Sequence, residues 1–212
     1  GGLVGTLWTG GSITISYSTG AVNGTSSVGG LVGYNYGAGP IVSSYWDTQT
    51  SGLETSYGGT GKTTAEMMTQ TTFSGWDIAN TGGSSAIWRI YDGKTYPLLR
   101  SFLIPLTITA DNVAKTYDGN PYVSALTNPI YSIPGAESSG LLFNTDNAYN
   151  SAVNAGSYTP GLYSTQQGYD IAYVNGLLTI NPAEIYTTTI DLSGNRVYDG
   201  TRDVSADIFT LC

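Results

Sequence analysis

The chain has 212 residues, with 15 Asp and Glu against 7 Lys and Arg, a formal net charge of −8 and no histidine. That balance excludes nucleic acid and anionic membrane surfaces as partners, because both reward clustered Lys and Arg. A single cysteine, Cys212, and the absence of His exclude an internal disulfide framework, His/Cys zinc sites and thiol- or His-dependent catalytic triads. The 40% hydrophobic fraction with 29 Gly and 17 Tyr implies real cores made from short strands, tight turns and aromatic fillers, an all-β chain of extracellular character.

Two copies of Gly-Gly-Leu-Val-Gly begin at Gly1 and Gly29, and the residues after each copy keep the same offset of 28: Ile13 matches Ile41, and Ser16-Tyr17 matches Ser44-Tyr45. A constant period of this size signals stacked units, none of which buries its apolar face alone, and hence a solenoid. Ile13, Ile15 and Tyr17 alternate with small polar residues, the mark of a strand with one buried face. Gly10-Gly11, Asn23-Gly24 and Gly29-Gly30 supply the corners. Stacked strands of this kind lie about 4.8 Å apart, each pairing its backbone with the next. A sandwich of ordinary hairpins has no reason to repeat at a constant offset.

The period is expected to stop after Trp46. The string from Ser56 to Met68, SYGGTGKTTAEMM, imitates a phosphate-binding loop. The glycine that such a loop requires five residues before its Gly-Lys pair is replaced by Ser56, and Thr50, Ser51, Gly52 and Glu54 form no apolar strand ahead of it. The better reading is a short helix over 63–70, with Thr63 as N-cap and Glu66 completing a capping box. With Phe73 and Trp76, this helix is placed to cover the open end of the stack. Ala86 to Ile90, Asp92-Gly93 and Thr95 to Leu99 predict a strand, a tight turn and a return strand. Trp76 and Trp88 carry two readings, packing inside this cap or a sugar-stacking platform.

A domain boundary is expected near residue 103, where Leu106-Thr107-Ile108-Thr109 opens a new strand pattern that runs to Gly176 through Pro182. Tyr117-Asp118-Gly119 lies in this module and Tyr198-Asp199-Gly200 lies 81 residues beyond it, a plausible module length. In both, Asp-Gly makes the turn and Tyr packs beside it, a structural and not a catalytic role. Tyr91-Asp92-Gly93 reads as a turn as well. Residues 184–212 are too few to complete a core of their own. Either the chain is an excerpt of a longer one, as its start in mid-repeat without Met also suggests, or a neighbouring copy donates strands. Cys212 is then an attachment point or an arbitrary terminus.

These strings carry a resemblance. GGLVG, SYSTGAV (Ser16 to Val22), SVGGLVGYNYG (Ser27 to Gly37) and IVSSYWD (Ile41 to Asp47) resemble the GLUG-type repeats of filamentous-haemagglutinin-like bacterial exoproteins and adhesins. The stretch from Asp47 to Arg100 is similar to the segment that comes after such repeats, and the strings beyond 103 resemble MBG and YDG modules of the same exoproteins. The resemblance implies a right-handed β-helix end over 1–56, a capping segment with a short helix and a hairpin over 57–102, an MBG/YDG-type module over 103–183, and part of a second over 184–212. The modules are expected to be β-grasp-like or immunoglobulin-like. The resemblance also implies a location outside the cell or at the bacterial surface, with a host or bacterial surface ligand, a glycan, or copies of the chain itself as partners, and no membrane insertion in this segment.

Right-handed β-helices also carry lyases and glycosidases. Glycoside hydrolysis needs two facing carboxylates about 5 to 9.5 Å apart, yet residues 1–46 contain no Asp or Glu. Asp111, Asp118, Asp146 and Asp170 are scattered among turn residues, where Asp serves backbone hydrogen bonds. Calcium at a few of them stays open, although no EF-hand or nonapeptide calcium pattern is present. The expectation is a non-enzymatic, cofactor-free structural and adhesive segment that displays or forms an extracellular stalk or filament. The alternative is a carbohydrate-binding or carbohydrate-cleaving β-solenoid.

Overall fold

The offset of 28 in the sequence is the register of the sheet ladders. In the computed structural model, β1 (Val4–Leu7), β2 (Ile13–Thr14) and β3 (Tyr17–Ser18) pair in parallel with β4 (Val32–Asn35), β5 (Ile41–Val42) and β6 (Tyr45–Asp47). Val4 meets Val32, Ile13 meets Ile41 and Tyr17 meets Tyr45, so equivalent residues of the two repeats lie side by side. Leu7, Ile13, Leu31, Val32 and Trp46 form one shared buried core. Corners recur at the same offset: Gly10 and Ala38 have φ of 82° and 47°, Ile15 and Ser43 of 49° and 46°. Glycine is the residue expected at corners, yet a β-branched residue holds one of them, because the ladder bonds on either side leave the chain no other path. Ile15 donates to the Val42 carbonyl and Tyr45 to that of Ser16. The structure describes residues 1–122, 130–135, 141–143, 148–165, 168–184, 192–193, 197, 200 and 210–211.

The stack does not stop at Trp46. After α1 (Thr48–Ser51) the chain returns and lays down a shortened third layer. Gly30 donates to the Thr55 carbonyl and Tyr57 to that of Val32. The Ser56 hydroxyl accepts from the amides of Leu31 and Val32 at 3.2 and 2.8 Å. Next, β7 (Thr60–Lys62) pairs in parallel with β6, Tyr45 against Thr60. A strand equivalent to β5 is missing from this layer; the chain cuts across by way of Gly58 and Gly59, at φ of 128° and 85°. A Cβ on Gly58 would collide with Ile41 Cδ1, and one on Gly59 would lie 2.6 Å from Leu31 Cδ2. The glycine-rich string that imitates a phosphate loop is therefore a lid over Leu31 and Ile41. Its lysine is engaged elsewhere, since Lys62 Nζ bonds Glu66 Oε1 at 3.0 Å. Substituting Gly59 by Ala imposes a left-handed backbone on a side chain, about 1–2 kcal/mol, and overpacks Leu31 for about 1–3 kcal/mol more. Urea unfolding should show a midpoint shift of that size, and an unchanged midpoint would sink the lid.

The capping box forms as expected: Thr63 Oγ1 accepts from the Glu66 amide and Glu66 Oε2 from the Thr63 amide. The helix it starts, α2 (Thr64–Met67), is shorter than 63–70. Its last turn is ended from outside, because Gly93 donates to the Met68 carbonyl and Asp92 Oδ1 accepts from the Gln70 amide at 2.7 Å. Beyond the 3₁₀ turn Gln70–Thr72, β8 (Ile78–Ala79) runs parallel to β9 (Trp88–Arg89), which pairs antiparallel with β10 (Leu98–Leu99). Arg89 meets Leu98, so the expected hairpin is present with a wider loop than Asp-Gly alone would make.

From residue 104 the chain builds a second set of sheets. β11 (Ile104–Ala110) and β12 (Val113–Thr116) are succeeded by β13 (Ile130–Tyr131), β14 (Leu141–Phe143), β15 (Gly156–Tyr158), β16 (Leu162–Ser164), β17 (Tyr169–Asn175) and β18 (Leu178–Asn181). The sheet orders are β13-β11-β17, β12-β18-β15 and β14-β16. β11 against β17 and β12 against β18 are parallel ladders with one common register, Ile104 to Tyr169 and Val113 to Leu178, kinked between them where Asn175 and Gly176 take φ of 64° and 79°. Leu106, Ile108 and Ala110 alternate inward on β11 and Leu178 and Ile180 on β18, as the period-2 pattern requires. In the tail, β19 (Leu192–Ser193) pairs antiparallel with β20 (Thr210–Leu211). Tyr198, Asp199 and Cys212 lie outside the described residues, and Gly200 has φ of 86°. Among the described residues strands dominate and helices are single turns, so the chain is all-β.

The expected boundary near 103 is crossed by a continuous apolar core. Tyr91, Leu98 and Leu103 pack with Leu106, Ile108, Tyr169 and Ile171.

Candidate functional site

Trp76 and Trp88 are together, Trp76 buried and Trp88 half-buried against it. Their ring centroids are 4.8 Å apart, Phe73 lies 5.0 Å from Trp76, and Tyr17 and Tyr45 of the stack flank them. Trp76 is buried and its Nε1 donates to the Ser43 carbonyl at 2.8 Å. Tyr17 donates to the Pro97 carbonyl at 2.6 Å, and burial, with Tyr96 nearby, pushes its hydroxyl up to about 12. The cluster therefore joins the side of the stack to the segment behind it, and Trp76 offers no open ring face to a sugar.

Asp47 is the hub of that joint. Fully buried, it N-caps α1 by accepting from the amides of Gln49 and Thr50 at 2.8 and 3.0 Å. Its other oxygen accepts from the hydroxyls of Thr64 and Tyr96 at 2.7 and 2.8 Å. Burial alone would raise this carboxyl; the donors of Thr50, Thr64, Tyr96 and Gln49 outweigh it and hold it below the usual carboxylate range.

Tyr117-Asp118-Gly119 forms the expected turn, with Gly119 at φ 77° and Asp118 Oδ1 accepting from the Asn120 amide and from Lys115 Nζ. These bonds lower the Asp118 carboxyl. The Tyr117 side chain is exposed. Tyr91 of the third such tripeptide is the opposite case. Its buried hydroxyl donates to the Tyr169 carbonyl at 2.6 Å and accepts from the Ile171 amide at 3.0 Å, clasping the backbone on either side of Asp170.

Asp170 sits in a strand, β17, not in a turn. Its carboxylate accepts from Arg89 Nε at 3.1 Å, from Arg100 Nη1, and from the Gly83 amide at 3.2 Å. Arg100 also donates to the Ala86 carbonyl and to Ser84 Oγ, and Arg89 lies over the Tyr91 ring at 3.8 Å. Burial lowers the Arg89 guanidinium, while Tyr91 and Asp170 hold it up; it stays charged at neutral pH. Beside this cluster opens a cleft of about 550 Å³ whose lining includes Asn80, Arg89, Lys94, Tyr163 and Tyr173. Among the described residues no three His, Cys, Asp or Glu side chains converge as a metal site would need.

Sequence reasoning missed the partners of Asp170, which lie 81 and 70 residues away with no motif to connect them. It also passed over a row of water-facing rings, Trp8, Tyr34, Tyr36 and Tyr57, although Trp8 and Tyr36 stand at the repeat offset and could have been read as a pair.

A protein named "Putative Gly-rich membrane protein" from Evansella cellulosilytica is 34% identical to this chain over 120 residues. The similarity takes in 53% of this chain and 13% of that protein's length. No family model matches the chain, and no solved structure matches it.

Proposed function

We propose that this chain is a structural and adhesive segment of a large secreted or surface-anchored bacterial exoprotein. In this reading residues 1–62 are the end of a right-handed β-helix, closed by the Gly58-Gly59 lid, and the sheets from 104 onward are an MBG/YDG-type module of β-grasp-like or immunoglobulin-like fold. Its function is mechanical, displaying or extending a stalk. The reading is carried by the parallel pairing of whole repeats at one constant offset, because stacked units of this kind span distance and present surfaces. The Arg89–Asp170–Arg100 cluster adds a stiff joint between the capping segment and the module, as a stalk under tension requires.

Two measurements test it. Antibodies raised against the folded chain should label intact cells of the producing organism, and labelling only after permeabilisation would overturn the extracellular assignment. Inserting four further copies of residues 1–28 after residue 28 should give a folded particle longer by roughly 19 Å, four strand spacings. An insertion that unfolds the chain or leaves its length unchanged would overturn the β-helix.

A further inference from the structure

Four aromatic side chains form a contiguous row on the outward side of the stack. Trp8, Tyr36, Tyr34 and Tyr57 are 64%, 62%, 39% and 51% exposed. Ring centroids are 5.0 Å apart from Trp8 to Tyr36, 6.4 Å from Tyr36 to Tyr34 and 5.2 Å from Tyr34 to Tyr57. Trp8 comes from the first layer, Tyr34 and Tyr36 from the second and Tyr57 from the third. The positions are set by backbone pairing: Thr6 lies against Tyr34, the Tyr36 amide donates to the Leu7 carbonyl at 2.8 Å, and the Tyr57 amide to that of Val32 at 3.1 Å. Tyr34 stands in β4, Trp8 and Tyr36 come directly after β1 and β4, and backbone bonds tie Tyr36 and Tyr57 to the neighbouring layer; Tyr and Trp rings also lose little conformational freedom on binding.

The surroundings restrict what such a row can hold. No Asp, Glu, Lys or Arg precedes Asp47, and Asp47 is fully buried, so the first two layers present no side-chain charge with which to recognise a charged group. The net charge of −8 also disfavours anionic polymers at longer range. An open row, not a concavity, suits an extended ligand rather than a small molecule. The ligand that meets all three conditions is uncharged and ribbon-like, with an apolar C–H face for the rings and hydroxyls at its edges for Thr6, Thr9 and the tyrosine hydroxyls. We propose that Trp8, Tyr36, Tyr34 and Tyr57 form a stacking row for a single chain of an uncharged β-linked polysaccharide. The proposal rests on the extracellular reading above and names the partner class for it. Successive rings are inclined by 49°, 56° and 67°, which suits a soluble, twisted chain better than a flat crystalline face.

The full chain should be titrated with cellohexaose, chitohexaose and xylohexaose, read by calorimetry and tryptophan fluorescence, with polygalacturonate as the charged control. At least one neutral hexasaccharide should bind and polygalacturonate should not. Trp8→Ala and Tyr36→Ala should each weaken binding about tenfold, the scale of one lost stacking contact. Trp8→Phe should retain most of it, and all three variants should keep the wild-type thermal midpoint because the rings face water. The proposal is overturned if no neutral hexasaccharide binds, or if the doubly substituted W8A/Y36A chain binds as well as wild type. It is equally overturned if the wild-type chain self-associates through the row, W8A/Y36A is monomeric and no sugar binds; the row is then a face between copies. Surface labelling without sugar binding defeats this proposal alone, whereas sugar binding by a chain found only inside cells defeats the exoprotein reading.

Discussion

Asp170→Asn should destabilise the chain by about 3–5 kcal/mol, the cost of removing one partner from a buried ion cluster. The carboxamide preserves shape but leaves the Arg89 and Arg100 guanidiniums, 4% and 15% exposed, without their counter-charge. Urea unfolding followed by tryptophan fluorescence reads the loss. The informative contrast is the triple replacement R89M/D170L/R100M, which removes all three charges together. Such swaps are commonly neutral or stabilising, because the desolvation of the charges offsets most of their attraction. A small effect for Asp170→Asn would mean that water reaches the cluster, and the joint between the two sets of sheets would then rest on Tyr91 and the apolar core alone.

The second large effect is expected at Asp47. Asp47→Ala removes a helix cap, about 0.5–2 kcal/mol, and takes the acceptor from the half-buried hydroxyls of Thr64 and Tyr96, about 1 kcal/mol for each lost hydrogen bond. The pH dependence identifies the mechanism. The folded-state pKa of Asp47 lies below the unfolded value of about 3.9. Its contribution is therefore fully present above the unfolded pKa and is lost as pH falls through the folded one. The stability gap between wild type and Asp47→Asn should be constant from pH 8 to about 5 and shrink below about 4. A gap that stays constant down to pH 2 would show that the loss is one of packing and not of charge.

The parts of this fold that can be read from the sequence are those in which a side-chain pattern and a backbone ladder coincide. The repeat offset is visible because stacked strands demand similar residues at equivalent places, as in Ile13 over Ile41 and Tyr17 over Tyr45. The capping box is visible because all its atoms lie within four residues. The third layer is not, because Thr55 to Tyr57 and Thr60 to Lys62 join the stack through backbone amides and one serine hydroxyl, which leave no signature in side-chain similarity. Tyr91-Asp92-Gly93 shows both sides: the turn at Gly93 is local and legible, whereas the Tyr91 hydroxyl acts on a strand some 80 residues away. Asp170 misleads for the same reason, since its immediate neighbours describe a polar turn and its true partners are distant arginines.

The Gly58-Gly59 crossing also gives the stack a direction. The groups nearest to where a side chain on Gly58 or Gly59 would stand, from Leu31, Ile41 and Ser44, belong to the second repeat. Units inserted between the two would meet the same neighbours as those already there and leave the terminus chemically unchanged. Length and termination are thus specified by separate stretches of the gene, so reach can vary by whole increments while the finishing piece, and the sheets built onto it, stay constant.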